Sequence, residues 1–171
     1  MAVLYIMSGL PFSGKTTLSK KISESLGIKR VSFDETWVRV EKELGTIPGI
    51  DNQQQSDFII SNCENEIKEE LKNGRSVIYD TLAGSPFIRK NIKQIAQNLN
   101  SESQLIYVNV SKETVLKRRE QNLIDKQRYQ VEDKNFYKAL DDYEVPKSEE
   151  NPLIYNCEDD LESWISKNIK V

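Results

Sequence analysis

Residues 9–16 read Gly9-Leu10-Pro11-Phe12-Ser13-Gly14-Lys15-Thr16, a full match to the pattern G-x-x-x-x-G-K-[ST]. Each fixed position answers to phosphate chemistry. The two glycines let the backbone curl until consecutive N–H groups point inward at anionic oxygens. Lys15 adds a mobile positive charge for β- and γ-phosphates, and the Thr16 hydroxyl is the kind of oxygen that ligates Mg²⁺ beside them. The loop therefore predicts binding of a nucleoside triphosphate together with Mg²⁺.

Two carboxylates and a set of arginines stand at spacings that suit the same chemistry. Asp34 closes one apolar run, residues 29–34, and Asp80 closes another, residues 76–80. In open α/β sheets ligands bind outside the carboxyl ends of the strands, where the loop also begins, so both carboxylates are expected to face the triphosphate. Asp80 is placed to hold Mg²⁺, directly or through water. Asp34 is better placed to take the proton from an acceptor hydroxyl. Either aspartate also suits a plainer role at a helix N-terminus or turn. Arg89 follows Asp80 by nine residues and is expected to clamp an anionic group on the acceptor, or else to stand at the surface. Arg118, Arg119 and Arg128 carry planar forks suited to a phosphoryl group in transfer, and one of the three is expected to reach the phosphates.

The elements that must position these residues are legible from hydrophobic periodicity. Residues 2–7 form an apolar run that reads as a buried strand leading into the loop, and further strands are expected over 29–34, 76–80, 104–110 and 153–156. Leu18, Ile22 and Leu26 lie four apart and predict a helix after the loop that stops at Gly27. Ile60, Cys63, Ile67 and Leu71 predict a helix over 53–73, ended near Gly74. Ile88, Ile92, Ile95 and Leu99 mark another, and Leu161, Trp164 and Ile165 a terminal one. Strands alternating with helices predict a five-stranded parallel sheet covered on both faces, an α/β three-layer sandwich formed by one domain over 1–171. Segment 112–150 is basic and then acidic, and its plain reading is a pair of solvated helices.

Bulk properties narrow the function. The formal charge of −3 argues against a broadly basic surface and hence against long nucleic acid as a partner, while leaving room for a local basic cleft. With no histidine, His-based proton transfer is excluded. The two cysteines, Cys63 and Cys157, lie far apart and are expected to be reduced thiols. No run is long and apolar enough to span a bilayer, and no leader pattern precedes the first strand, so a cytoplasmic monomer or homodimer is expected.

Taken in order, residues 9–17, Val31-Ser32-Phe33-Asp34-Glu35, Val77-Ile78-Tyr79-Asp80-Thr81 with Arg89, and Glu113-Thr114-Val115-Leu116-Lys117-Arg118-Arg119 resemble a small P-loop kinase. The nearest likeness is to the AAA-type predicted kinases related to zeta toxins and to the kinase domain of polynucleotide kinase. It extends to Tyr143-Glu144-Val145-Pro146. The resemblance implies a P-loop NTPase fold, adenylate-kinase-like, with a helical lid over 118–135. It also implies a loop that binds ATP through residues 9–17, Lys15 on the phosphates and Asp34 as general base. Asp80 and Thr81 match the D-T pair after the third strand, Arg89 a substrate-side arginine, and Arg118 or Arg119 the first lid arginine. Asn122 occupies the place of a second lid arginine, for which Arg128 is the substitute. Residues 45–57 match no acceptor signature. The expected activity is transfer of the γ-phosphoryl group of ATP to a hydroxyl. The alternatives are a nucleotide hydrolase or switch without a separate acceptor, and a scaffold that binds nucleotide without turnover.

Overall fold

A computed structural model describes residues 1–45, 52–126 and 132–170. Five strands, β1 (Val3–Ser8), β2 (Lys29–Ser32), β3 (Val77–Asp80), β4 (Glu102–Asn109) and β5 (Leu153–Asn156), pair in parallel in the order β2-β3-β1-β4-β5. Between and after them run α1 (Lys15–Leu26), α2 (Phe33–Leu44), α3 (Asn52–Lys72), α4 (Pro86–Gln97), α5 (Lys112–Asp125), α6 (Asp133–Asp141) and α7 (Leu161–Asn168).

Alternation along β1 explains the layering. Leu4 and Ile6 point to a core shared with Val31, Tyr79 and Leu105 and covered by α2, α3 and α4. Tyr5 and Met7 point to the opposite core, where α1 and α7 supply Leu18, Ile22, Trp164 and Ile165. The sheet is thus buried on both faces, as an all-parallel sheet must be. No described helix is long and apolar enough to cross a membrane.

Local chemistry sets the helix ends. Gly14 (φ 110°) opens α1 and Gly27 (φ 65°) closes it, both in the left-handed region. The Ser32 hydroxyl accepts from the Glu35 N–H at 3.4 Å and so caps α2, while Ser85 caps α4 with Pro86 in its first turn. These caps correct two expectations. β2 ends at Ser32, so Asp34 sits in the first turn of α2 rather than at the end of a strand. Neither Asp34 nor Asp80 caps a helix, because serines hold those positions. In the core stripe of α3, Cys63, Ile67 and Leu71 are buried as the spacing predicts, while Ile59 takes the place of Ile60, which is 38% exposed.

Helices α5 and α6 form the expected pair with charged faces exposed, but each also carries buried residues. Phe136 is fully buried against Leu10 of the loop, Val115 and Leu140, forming a third core that fastens α5 and α6 beside the phosphate loop. Helix α5 runs on to Asp125, so Arg118 and Arg119 lie mid-helix. Because Phe136 is fully buried in that core, Phe136→Ala should cost about 3–5 kcal/mol of stability, measured by chemical denaturation.

Candidate nucleotide site

The loop between β1 and α1 is shaped by close approach. A Cβ on Gly9 (φ 154°) would meet the Ser13 Oγ at 2.8 Å and the Val108 carbonyl oxygen at 2.9 Å, so only glycine fits. Phe12 takes a left-handed φ of 60° and its ring meets Phe136 edge-on at 5.9 Å, which anchors the strained residue. The Ser13 N–H donates to the Leu10 carbonyl at 3.1 Å. Inside this curl the Lys15 Nζ donates to the Gly9 and Leu10 carbonyls at 2.8 and 2.9 Å. Burial of the ammonium lowers its pKa to about 8, against the opposing pull of Asp80 and Asp34.

Asp80 and Asp34 lie within electrostatic reach of Lys15, as the sheet edge predicts. Asp80 is buried, and one oxygen, Oδ2, accepts from the Ser19 hydroxyl at 2.9 Å and from Arg30 Nη2 and Nε at 2.6 and 3.2 Å. Its other oxygen takes no hydrogen bond from the described residues. Asp34 differs. Its carboxylate is hydrogen-bonded to none of the described residues, and its pKa is raised, first by desolvation and then by Asp80, while Lys15 and Arg30 oppose the shift. The residue keeps solvent access, so the desolvation is that of a cleft wall rather than a closed core.

On the other side of the loop lies a cavity of about 380 Å³ whose walls include Phe12, Gly14, Thr17, Arg118, Tyr155 and Cys157. Arg118 closes it against the loop, donating from Nη1 to the Ser13 and Phe12 carbonyls at 2.8 and 3.1 Å and from Nη2 to the Cys157 Sγ at 3.5 Å. Of the other arginines, Arg119 is buried, paired with Asp133, its guanidinium 4.4 Å from the centre of the Phe136 ring. It braces α6 rather than facing the loop. Arg128 lies outside the described residues, as do residues 46–51 of the expected acceptor region.

Arg89 is turned into the interior, neither at the surface nor open for an acceptor. Its guanidinium is fully buried and makes four hydrogen bonds: Nε and Nη2 grip both oxygens of Glu150 at 2.6 and 2.8 Å, and Nη1 donates to the Ala83 and Glu144 carbonyls at 3.1 and 2.9 Å. An arginine so placed is a strut between the loop after β3 and the segment after α6, with no fork left for an acceptor anion. Arg89→Met should lower stability by about 3 kcal/mol, read as a fall in the denaturation midpoint, because Glu150 would lose its partner. Thr81 directly follows β3.

Four contributors escape a reading of the sequence. Arg30 and Ser19 hold Asp80 from 50 and 61 residues away. Tyr143 reaches the end of β1, its hydroxyl 2.9 Å from the Ser8 Oγ, and Cys157 meets the loop across 144 residues. Tyr143 stands in the 143–146 segment that the resemblance marks, but nothing there points to Ser8; the other three carry no local motif, and only the alternation of strands and helices hints that distant segments share one edge.

The donor set suits Mg²⁺. Thr16 stands in the first turn of α1 beside the loop, and one Asp80 oxygen takes no hydrogen bond from the described residues. Among the described residues no cluster of three or more His, Cys, Asp or Glu forms. A hydroxyl and one carboxylate oxygen are what Mg²⁺ accepts when phosphates and water complete its octahedron.

A family model described as chromatin associated protein KTI12 matches residues 1–156. The chain belongs to the KTI12 family. No curated protein matches it. Among solved structures, Chaetomium thermophilum Kti12 in complex with ADP-AlF3 is 19% identical, with 96% of each chain covered and a TM-score of 0.77. A candidate kinase from Chloroflexus aurantiacus is 16% identical over 99% of each chain, TM-score 0.78. A gluconokinase from Sinorhizobium meliloti is 16% identical over 95% of this chain and 87% of its own, TM-score 0.62. At such identities the likeness establishes the fold: this KTI12-family chain has the nucleotide-binding P-loop architecture that kinases share.

Proposed function

We propose that this KTI12-family protein is an ATP-dependent phosphotransferase that moves the γ-phosphoryl group of ATP to a hydroxyl of a small molecule or nucleotide. One observation carries the reading. Asp34 shares the sheet edge with Lys15 and Asp80, is spared from capping by Ser32, and is left with a raised pKa and no hydrogen bond from the described residues. That is the condition of a base awaiting a proton.

In this mechanism the loop N–H groups and Lys15 hold the β- and γ-phosphates and stabilise charge as it spreads over the transferring oxygens. Asp34 accepts the acceptor's hydroxyl proton as the new O–P bond forms. The bond to the β–γ bridging oxygen breaks, and ADP leaves. Mg²⁺, for which Thr16 and Asp80 are the holding residues, would neutralise the phosphate oxygens. The cavity beside Arg118 suits the nucleoside end of ATP, with the guanidinium plane available for stacking on a base.

A second reading follows from the likeness to Kti12 held with ADP-AlF3, since a planar fluoride on ADP imitates a phosphoryl group in transfer. Water would then take the acceptor's place. Incubation with γ-labelled ATP separates the two. Label should pass to one member of a panel of hydroxyl acceptors at least tenfold faster than it appears as inorganic phosphate. Label reaching phosphate alone, at a rate no acceptor changes, contradicts transfer and favours hydrolysis.

A further inference from the structure

We propose that Arg30 is the resident counter-ion of Asp80: it fixes that carboxylate for Mg²⁺ arriving with the nucleotide and keeps the nucleotide-free site from taking a divalent cation alone. The proposal rests on the nucleotide and Mg²⁺ reading of the site given above.

Arg30 lies on β2 with its side chain only 7% exposed, and Asp80 ends the neighbouring β3 with its side chain 5% exposed. The guanidinium makes a forked contact with one oxygen, Nη2 at 2.6 Å and Nε at 3.2 Å, and Nε also reaches the Ser19 Oγ at 2.8 Å. The remaining nitrogen, Nη1, donates to Glu35 Oε2 at 2.8 Å, and Glu35 in turn pairs with Lys20 at 3.4 Å. Arg30 therefore ties together the last residue of β3, the first turns of α1 and the first turn of α2, the turn that carries Asp34.

The consequence for a cation is specific. A buried carboxylate without a counter-charge attracts a divalent ion strongly, whereas one already neutralised by a guanidinium does not. With Oδ2 occupied, a metal meets one oxygen of a compensated carboxylate and the Thr16 hydroxyl, and Lys15 adds a second positive charge facing the same group. Mg²⁺ sheds its water reluctantly, so this donor pair is too weak to hold it until the triphosphate supplies the missing negative charge. Arg30 also denies Asp80 a choice of rotamer, so the free oxygen is aimed before the nucleotide arrives. Asp80 is thereby made a partner for metal-bound nucleotide and a poor partner for the bare ion.

Titration of nucleotide-free protein with Mn²⁺, followed by electron paramagnetic resonance of the free ion, tests this without turnover. Arg30→Gln should bind one Mn²⁺ at least tenfold tighter than the wild type, and adding Asp80→Asn should abolish the gain. Equal Mn²⁺ affinity in Arg30→Gln and wild type would overturn the proposal. Arg30→Lys keeps the charge and guards against a folding defect in the first variant. It should bind bare Mn²⁺ as the wild type does, but lose at least threefold of the enhancement that Mn²⁺ gives to ADP binding, because an ammonium cannot make the fork. An enhancement unchanged in Arg30→Lys would refute the orienting role. A protein that transfers no phosphoryl group would fail the reading above and still give the Mn²⁺ result.

Discussion

Lys15→Met is expected to slow phosphoryl transfer about 10³-fold, the scale on which losing one preorganised cation or donor at a developing charge is felt. The structure explains why no neighbour substitutes. Lys15 is threaded into the loop through the Gly9 and Leu10 carbonyls, while Arg118 reaches only the outer carbonyls of Phe12 and Ser13 and Arg30 is committed to Asp80. The same burial gives the variant a signature on stability. The folded-state pKa of about 8 lies below the ordinary lysine value, so between these two pH values the unfolded chain binds more protons and stability rises with pH. At pH 7 the charged ammonium therefore costs the fold, and Lys15→Met should melt at the same temperature as the wild type or higher. Thermal melts at pH 7 paired with single-turnover assays measure both effects. Nucleotide affinity of the wild type should also weaken as pH rises above about 8, where the free loop loses its charge.

Asp34→Asn is expected to slow transfer by 10²- to 10⁴-fold, about the contribution of a general base, with nucleotide affinity changed less than threefold. Here the pKa moves the other way. Desolvation and the Asp80 carboxylate raise it, so the folded state binds the proton more tightly than the unfolded chain, and stability falls as pH rises through the interval between the two values. Removing that charge should leave the fold as stable at pH 7 or slightly more so. Since the base acts deprotonated, the wild-type rate should fall on the acid side at a pH above the ordinary aspartate range. A pH–rate profile of kcat/KM checks this limb, which Asp34→Asn should lack. Gain in stability with loss of rate is the mark of a residue kept for chemistry.

Much of the fold was legible because its signals are local. Apolar runs that end in turn residues marked five strands, and the glycines at 14 and 27 marked where α1 begins and stops. The phosphate loop was complete in eight letters. What escaped is what folding brings together from afar. Arg30 reads as a strand residue until β3 pairs beside it, and only then does its fork meet Asp80. Arg89 sits where a substrate arginine would, yet Glu150, 61 residues on, accepts from its Nε and Nη2 and holds the guanidinium in the interior. The aspartate position also depended on one cap: Ser32 ends β2 two residues early and rolls Asp34 into a helical turn. Phe136, in a segment whose charge suggested solvent, is held by a core that only the folded loop completes.

A crystal structure of this protein grown with ADP, Mg²⁺ and aluminium fluoride tests the central claim most directly. The account predicts a planar fluoride between the β-phosphate and the Asp34 carboxylate, contacted by Lys15, with an oxygen of acceptor or water within about 3 Å of Asp34 in line for attack. Nucleotide bound in the loop with the fluoride directed away from Asp34, and no oxygen between them, would contradict it.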